Sequence, residues 1–167
     1  MKTCVLTVIL TIRLSICFSQ TDSIDCFNKF TRNIDEFENM VRFGSHFNDN
    51  INICKYVNIE NGSETYYMSL STIASTISVG KKGVTILFDD KSKMVKNYEK
   101  IDIKVNAYGS GYEYYSIINL TKDDLYVLST KKIYKFRLYI YDEEINQDFA
   151  ENFKETVSCL IFKKYKH

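Results

Sequence analysis

Between Cys54 and Tyr141 the chain alternates apolar and polar residues in short runs, each closed by turn-forming residues. Residues 54–60 (CKYVNIE) stop at Asn61-Gly62-Ser63, and residues 65–72 (TYYMSLST) follow. Residues 84–88 (VTILF) end at Asp89-Asp90, and residues 101–108 (IDIKVNAY) at Gly109-Ser110-Gly111. Residues 112–119 (YEYYSIIN) precede Lys122-Asp123-Asp124, and two further runs occupy 125–130 (LYVLST) and 133–141 (IYKFRLYIY). Period-two runs rich in Val, Ile, Tyr, Phe and Thr predict antiparallel strands joined by hairpins. Their near-regular spacing predicts a sandwich or a closed barrel, not a parallel α/β sheet.

The alternation also assigns faces. Ile101, Ile103 and Val105 share one side of their strand, and Tyr134, Phe136, Leu138 and Ile140 share one side of theirs. Such strands are half buried, with one face on a core and the other wet. In 112–119 an outward Asn119 sends Tyr112, Tyr114, Ser116 and Ile118 inward.

Helical period brackets this region. Phe27, Phe30, Ile34, Phe37 and Val41 recur at steps of three and four, predicting a helical segment over 23–41. Asn33 and Glu36 stand at capping-box spacing within it. Residues 40–47 fit a first strand as well, since short apolar runs do not separate the two periods. Ile145, Phe149, Phe153 and Val157 stack at steps of four, predicting an amphipathic helix over 142–157 that packs outside the sheet.

The N-terminus changes the setting. MKTCVLTVILTIRLSICFS has a basic start, an apolar stretch and small residues before Gln20, the layout of a secretory signal peptide spanning 1–19. No other stretch is apolar for long enough to cross a bilayer. The expected product is one secreted, extracellular domain over 20–167 with no membrane span. Removing Lys2 and Arg13 from 22 basic residues leaves 20 against 21 acidic ones, a net charge of −1. That balance lacks the basic excess a nucleic-acid partner requires. Cys26, Cys54 and Cys159 remain, enough for one disulfide and one free thiol, and sequence alone leaves the pair open. Asn61-Gly62-Ser63 and Asn119-Leu120-Thr121 are glycan acceptor sequences in a eukaryotic secretory pathway.

Catalytic chemistry is sparse. The chain has two histidines, His46 and the terminal His167, and lacks a Gly-rich phosphate loop, a GxSxG elbow or an HExxH helix. The cysteines have no metal-ligand spacing. We therefore expect no enzyme, no cofactor and no metal. Thirteen tyrosines are the notable feature, since Tyr offers a broad apolar face with a hydroxyl that needs a partner when buried.

Taken together, a signal peptide, an antiparallel meander and a C-terminal helix before Cys159 resemble a divergent secreted lipocalin of the arthropod kind. VNAYGSGYEYYSIINL is similar to the family's Tyr-containing turn between two late strands, with Tyr112 or Tyr115 at the Tyr position. Arg137 is similar in place to the arginine near the family's final strand, although the chain has no Trp and Gly44 therefore lacks the family's Gly-x-Trp. The resemblance implies an up-and-down eight-stranded barrel with the helix outside. It also implies a Cys54–Cys159 disulfide with Cys26 unpaired. A barrel of that size holds one small ligand. The expected function is a secreted protein that carries or sequesters a small hydrophobic or amphipathic ligand. Its pocket would be walled by Tyr67, Met68, Ile103, Val105, Tyr112, Tyr114, Ser116 and Ile118. The alternative is a secreted protein-interaction module with a filled core; a deep pocket favours the first and a packed interior the second.

Overall fold

The computed structural model describes residues 26–46, 50–77, 83–107 and 109–162; the expected signal peptide lies outside them. After a 3-10 turn at Phe27–Lys29 come β1 (Phe30–Asp35), β2 (Met40–Ser45), β3 (Ile51–Asn58) and β4 (Glu64–Ala74). They are followed by β5 (Val84–Phe88), β6 (Lys93–Lys96), β7 (Asp102–Val105) and β8 (Tyr112–Leu120). Helix α1 (Lys122–Thr130), β9 (Ile133–Leu138), β10 (Tyr141–Glu144) and α2 (Gln147–Phe162) complete the described chain.

The strands form two open sheets. One has six strands in the order β1-β2-β3-β4-β8-β7, the other four in the order β10-β9-β5-β6. All pairings are antiparallel. The closed eight-stranded barrel implied by the lipocalin resemblance is not formed. Strand β4 pairs with β8 over nine positions, Tyr66↔Leu120 to Ala74↔Tyr112, and so shuts β5 and β6 out of its sheet. Those two strands join β9 instead, through Val84↔Leu138 and Ile86↔Phe136.

The inner faces of both sheets share one core with the helices. Val41, Ile51, Ile53, Met68 and Leu70 come from the larger sheet, Ile86, Phe136 and Leu138 from the smaller, and Leu128, Phe153 and Val157 from α1 and α2. A carboxylate braces the two layers: Glu143 on β10 accepts from Asn50 Nδ2 at 2.8 Å and from Thr72 Oγ1 at 2.7 Å. Lys55 is the buried cation of the inner face, paired with Glu64 Oε1 at 2.5 Å. Burial pushes the Glu64 carboxyl up, but hydrogen bonds from Lys55 and Tyr66 outweigh it and hold the group below its ordinary range.

Three local expectations are corrected. Of the helical segment expected over 23–41, residues 23–25 lie outside the described residues, and 30–41 belong to the β1–β2 hairpin. Phe30 and Val41 enter the core, whereas Ile34 is about half exposed and Phe37 stands fully exposed at the tip. Asp35 Oδ1 accepts from the backbone N–H groups of Phe37 and Glu38, at 3.0 and 3.2 Å, and Asn39 takes φ +52°. That side-chain capture closes a turn where the apolar spacing predicts a helix. Residues 125–130 belong to α1, not to a strand. Thr121 and Asp124 cap it reciprocally, so Lys122-Asp123-Asp124 is a first helical turn, and Leu125 and Leu128 are its buried positions. The C-terminal helix is present but starts at Gln147. Asn146 Oδ1 caps Asp148 N at 2.8 Å, and residues 142–144 pair with β9 instead.

The disulfide is also corrected. Cys26 and Cys159 are bridged, with Cα atoms 5.5 Å apart, and Cys54 is free. The reason is facial: Cys54 alternates with buried Ile53 and Lys55 and so points out of the sheet, while Cys159 sits 2 % exposed on the core side of α2. Lys29, three residues past Cys26, strengthens the same junction through Glu155 at 3.1 Å and Asn152 at 2.9 Å.

Candidate functional site

The outer face of the six-stranded sheet carries the candidate site. Strand register places residues of neighbouring strands in lateral rows there. Asn33, Arg42, Tyr56 and Thr65 form one row, and Thr31, Gly44, Cys54, Tyr67 and Asn119 the next. Asn52, Ser69 and Ile117 form a third. Gly44 contributes no side chain, and the Arg42 guanidinium lies across it, 3.6 Å from where a Cβ would stand.

A groove of about 760 Å³ opens over these rows. Met40, Arg42, Cys54, Tyr56, Tyr67 and Ile117 line it, with Asp35 and Glu38 on the wall made by the β1–β2 hairpin. The Tyr56 and Tyr67 rings meet edge to face, 5.7 Å between centroids, and the Arg42 guanidinium is 6.0 Å from the Tyr56 ring. Burial pushes the Cys54 thiol up, opposed by the charge and hydrogen bond of Arg42 and by a backbone hydrogen bond at Tyr67. Among the described residues no carboxylate lies within ion-pair distance of Arg42. The groove therefore presents a guanidinium with no ion-pair partner among the described residues beside two aromatic rings, a combination suited to anchoring a partner's side chains.

Two other hollows border this framework. One, of about 610 Å³, continues along the hairpin past Ile34, Phe37 and Tyr56. The other, of about 430 Å³, lies where Asn50 and Ile51 face Glu143 and Phe149. Among the described residues no three His, Cys, Asp or Glu side chains gather as a metal site.

The expected pocket residues divide. Met68, Tyr114, Ser116 and Ile118 do point inward together, as the alternation of β8 predicts, but they are packed in the core at 0–1 % exposure. Tyr114 donates its hydroxyl to the Thr76 carbonyl at 3.0 Å and rests its ring on Tyr141, 4.7 Å away; Ser116 donates to the Lys100 carbonyl at 2.7 Å. Ile103 and Tyr112 are half-buried beside them. Val105 is 73 % exposed on edge strand β7, and Tyr67 lies on the outer face, in the groove. None of the three hollows is lined by Met68, Tyr114, Ser116 or Ile118.

Sequence reasoning passed over Arg42, Tyr56 and Met40. The signal was present in β3: Ile51, Ile53 and Val57 define an inner face that leaves Asn52, Cys54 and Tyr56 outward. Lys55, a charge on the inner face, masked the alternation. The acceptor asparagines are both exposed: Asn61 in the β3–β4 turn, where its Oδ1 accepts from Ser63 N at 2.8 Å, and Asn119 on the outer face opposite Tyr67. No family model, curated protein or solved structure matches the chain.

Proposed function

We propose that this protein is a binding module that recognises another protein through the outer face of its six-stranded sheet, acting outside the cell. One observation carries the reading. Met68, Tyr114, Ser116 and Ile118, four of the residues expected to wall an internal pocket, fill the core, while the groove of about 760 Å³ lies on an open face floored by Arg42, Tyr56 and Tyr67. Arg and Tyr are the residue types that dominate interface energetics when a partner desolvates them. Export is supported by the apolar N-terminal stretch and by the Cys26–Cys159 bridge, since structural disulfides persist in oxidising compartments.

The test is a binding screen of the purified protein against a panel of extracellular proteins, with Arg42→Ala and Tyr56→Ala beside Tyr126→Ala. Tyr126 is 69 % exposed on α1 and lies outside the groove. Truncating a hot-spot residue costs about 2 kcal/mol or more, roughly a thirtyfold loss of affinity. Such a loss at the groove positions, with Tyr126→Ala unchanged, is the expected result. A small molecule retained in native mass spectrometry would overturn the reading and return the protein to the ligand-carrier class, and binding lost only with Tyr126→Ala would overturn the assignment of the docking face.

A further inference from the structure

We propose that Asn119 carries an N-linked glycan that forms the β8 wall of the groove and restricts docking to the half of the sheet built by β1, β2 and β3. The restriction rests on the docking role above; the modification and the shielding do not. Asn119-Leu120-Thr121 is an acceptor sequence placed by the fold on the docking face itself. Leu120 is buried and Thr121 caps α1, while Asn119 is exposed and turns outward beside Ile117, a residue of the groove. The Asn119 amide makes no hydrogen bond among the described residues, so a sugar there displaces no native side-chain contact. By contrast, Asn61 holds its own turn through Ser63 N, outside the groove-lining residues.

Register makes the shielding specific. Asn119 stands directly opposite Tyr67, and Tyr67 directly opposite Cys54. Opposed Cβ atoms on antiparallel strands are about 5 Å apart. Cys54 therefore lies two strands, about 10 Å, from the glycan attachment point. A branched oligosaccharide rooted at Asn119 covers Tyr67 first and leaves the Arg42–Tyr56 row open. Occupancy of one asparagine then sets how wide a partner the face accepts.

Cys54 is a built-in reporter, because its thiol lies in the groove and is free. The full chain is secreted from mammalian cells as wild type, Asn119→Gln and Asn61→Gln. Intact mass before and after peptide N-glycosidase gives occupancy, and peptide mapping gives the site. Cys54 labelling is then timed with N-ethylmaleimide and with a PEG-maleimide. The expected result is loss of one glycan mass in Asn119→Gln. PEG-maleimide labelling should be several-fold slower in the wild type than in Asn119→Gln or the deglycosylated protein, with N-ethylmaleimide rates equal. Asn61→Gln should label as the wild type does. An unmodified Asn119 overturns the proposal. So does a glycan that leaves the PEG-maleimide rate unchanged, or a Cys54 that N-ethylmaleimide fails to reach. No partner protein enters this assay, so its failure is separate from failure of the docking role.

Discussion

Asp142 shows how single residues hold the edge of the smaller sheet. Arg137 donates to it through Nε and through Nη2, the latter at 2.9 Å, and Lys135 Nζ adds a contact at 3.2 Å. The Arg137 hydrogen bonds, partly offset by burial and aided by Lys135, depress the Asp142 carboxyl from 3.8 to about 2. A folded value below the unfolded one stabilises the fold above the unfolded value, and that stabilisation is lost as pH falls through the folded one. The window therefore runs from about pH 4 down to about pH 2. Both groups are largely exposed, so the contribution is under about 1 kcal/mol. Arg137→Gln should unfold at a slightly lower temperature than the wild type at pH 5, and the difference should close by pH 2. A gap independent of pH in melting curves would rule out this linkage.

Elements were legible in the sequence where one face is core and the other solvent. Strand β8 is such a case, because Tyr114, Ser116 and Ile118 alternate with Ile117 and Asn119 without interruption. The β1–β2 hairpin was not, because Phe30, Ile34, Phe37 and Val41 repeat at helical spacing although Ile34 is half exposed and Phe37 fully exposed. An Asx turn at Asp35 decided the outcome locally. Residues 125–130 differ for the opposite reason: their β-type composition predicts a strand, while the Thr121–Asp124 capping box and the buried pair Leu125 and Leu128 make a helix. For α2 the stripe of Phe149, Phe153 and Val157 is present, but the helix spans Gln147–Phe162 instead of 142–157 and leaves Ile145 outside it. Phe153 is 1 % exposed, and Phe149 stacks on it with ring centroids 6.2 Å apart. Phe153→Ala should cost roughly 3–5 kcal/mol in urea unfolding. Glu151→Ala, which removes only exposed ion pairs to Lys132 and Lys154, should stay within about half a kcal/mol. Equal midpoints for the two variants would show that α2 contributes no core.

At the scale of the whole molecule, periodicity predicted antiparallel strands but not how they divide between sheets. Strand pairing is a non-local choice: β4 bonds to β8, some fifty residues on, and nothing in either run names the other. The candidate groove shared that fate, since a concave outer face exists only once β1 to β4 and β8 are assembled. The Cys26–Cys159 bridge closes a loop of 133 residues around nearly the whole described chain. In the chain-entropy view such a loop stabilises by roughly 4–5 kcal/mol. Cys26→Ala should lower the denaturation midpoint accordingly, and Cys54→Ser should leave it nearly unchanged; the reverse pattern in chemical unfolding would refute the assigned pair. The same bridge has a mechanical consequence. Tension applied between the two ends of the chain passes through the covalent link and bypasses every strand, so the domain does not extend. Once the bond is reduced, the pull from the N-terminal side reaches β1, an edge strand whose one strand partner is β2. The larger sheet then yields from that edge inward, one row at a time, like a zip.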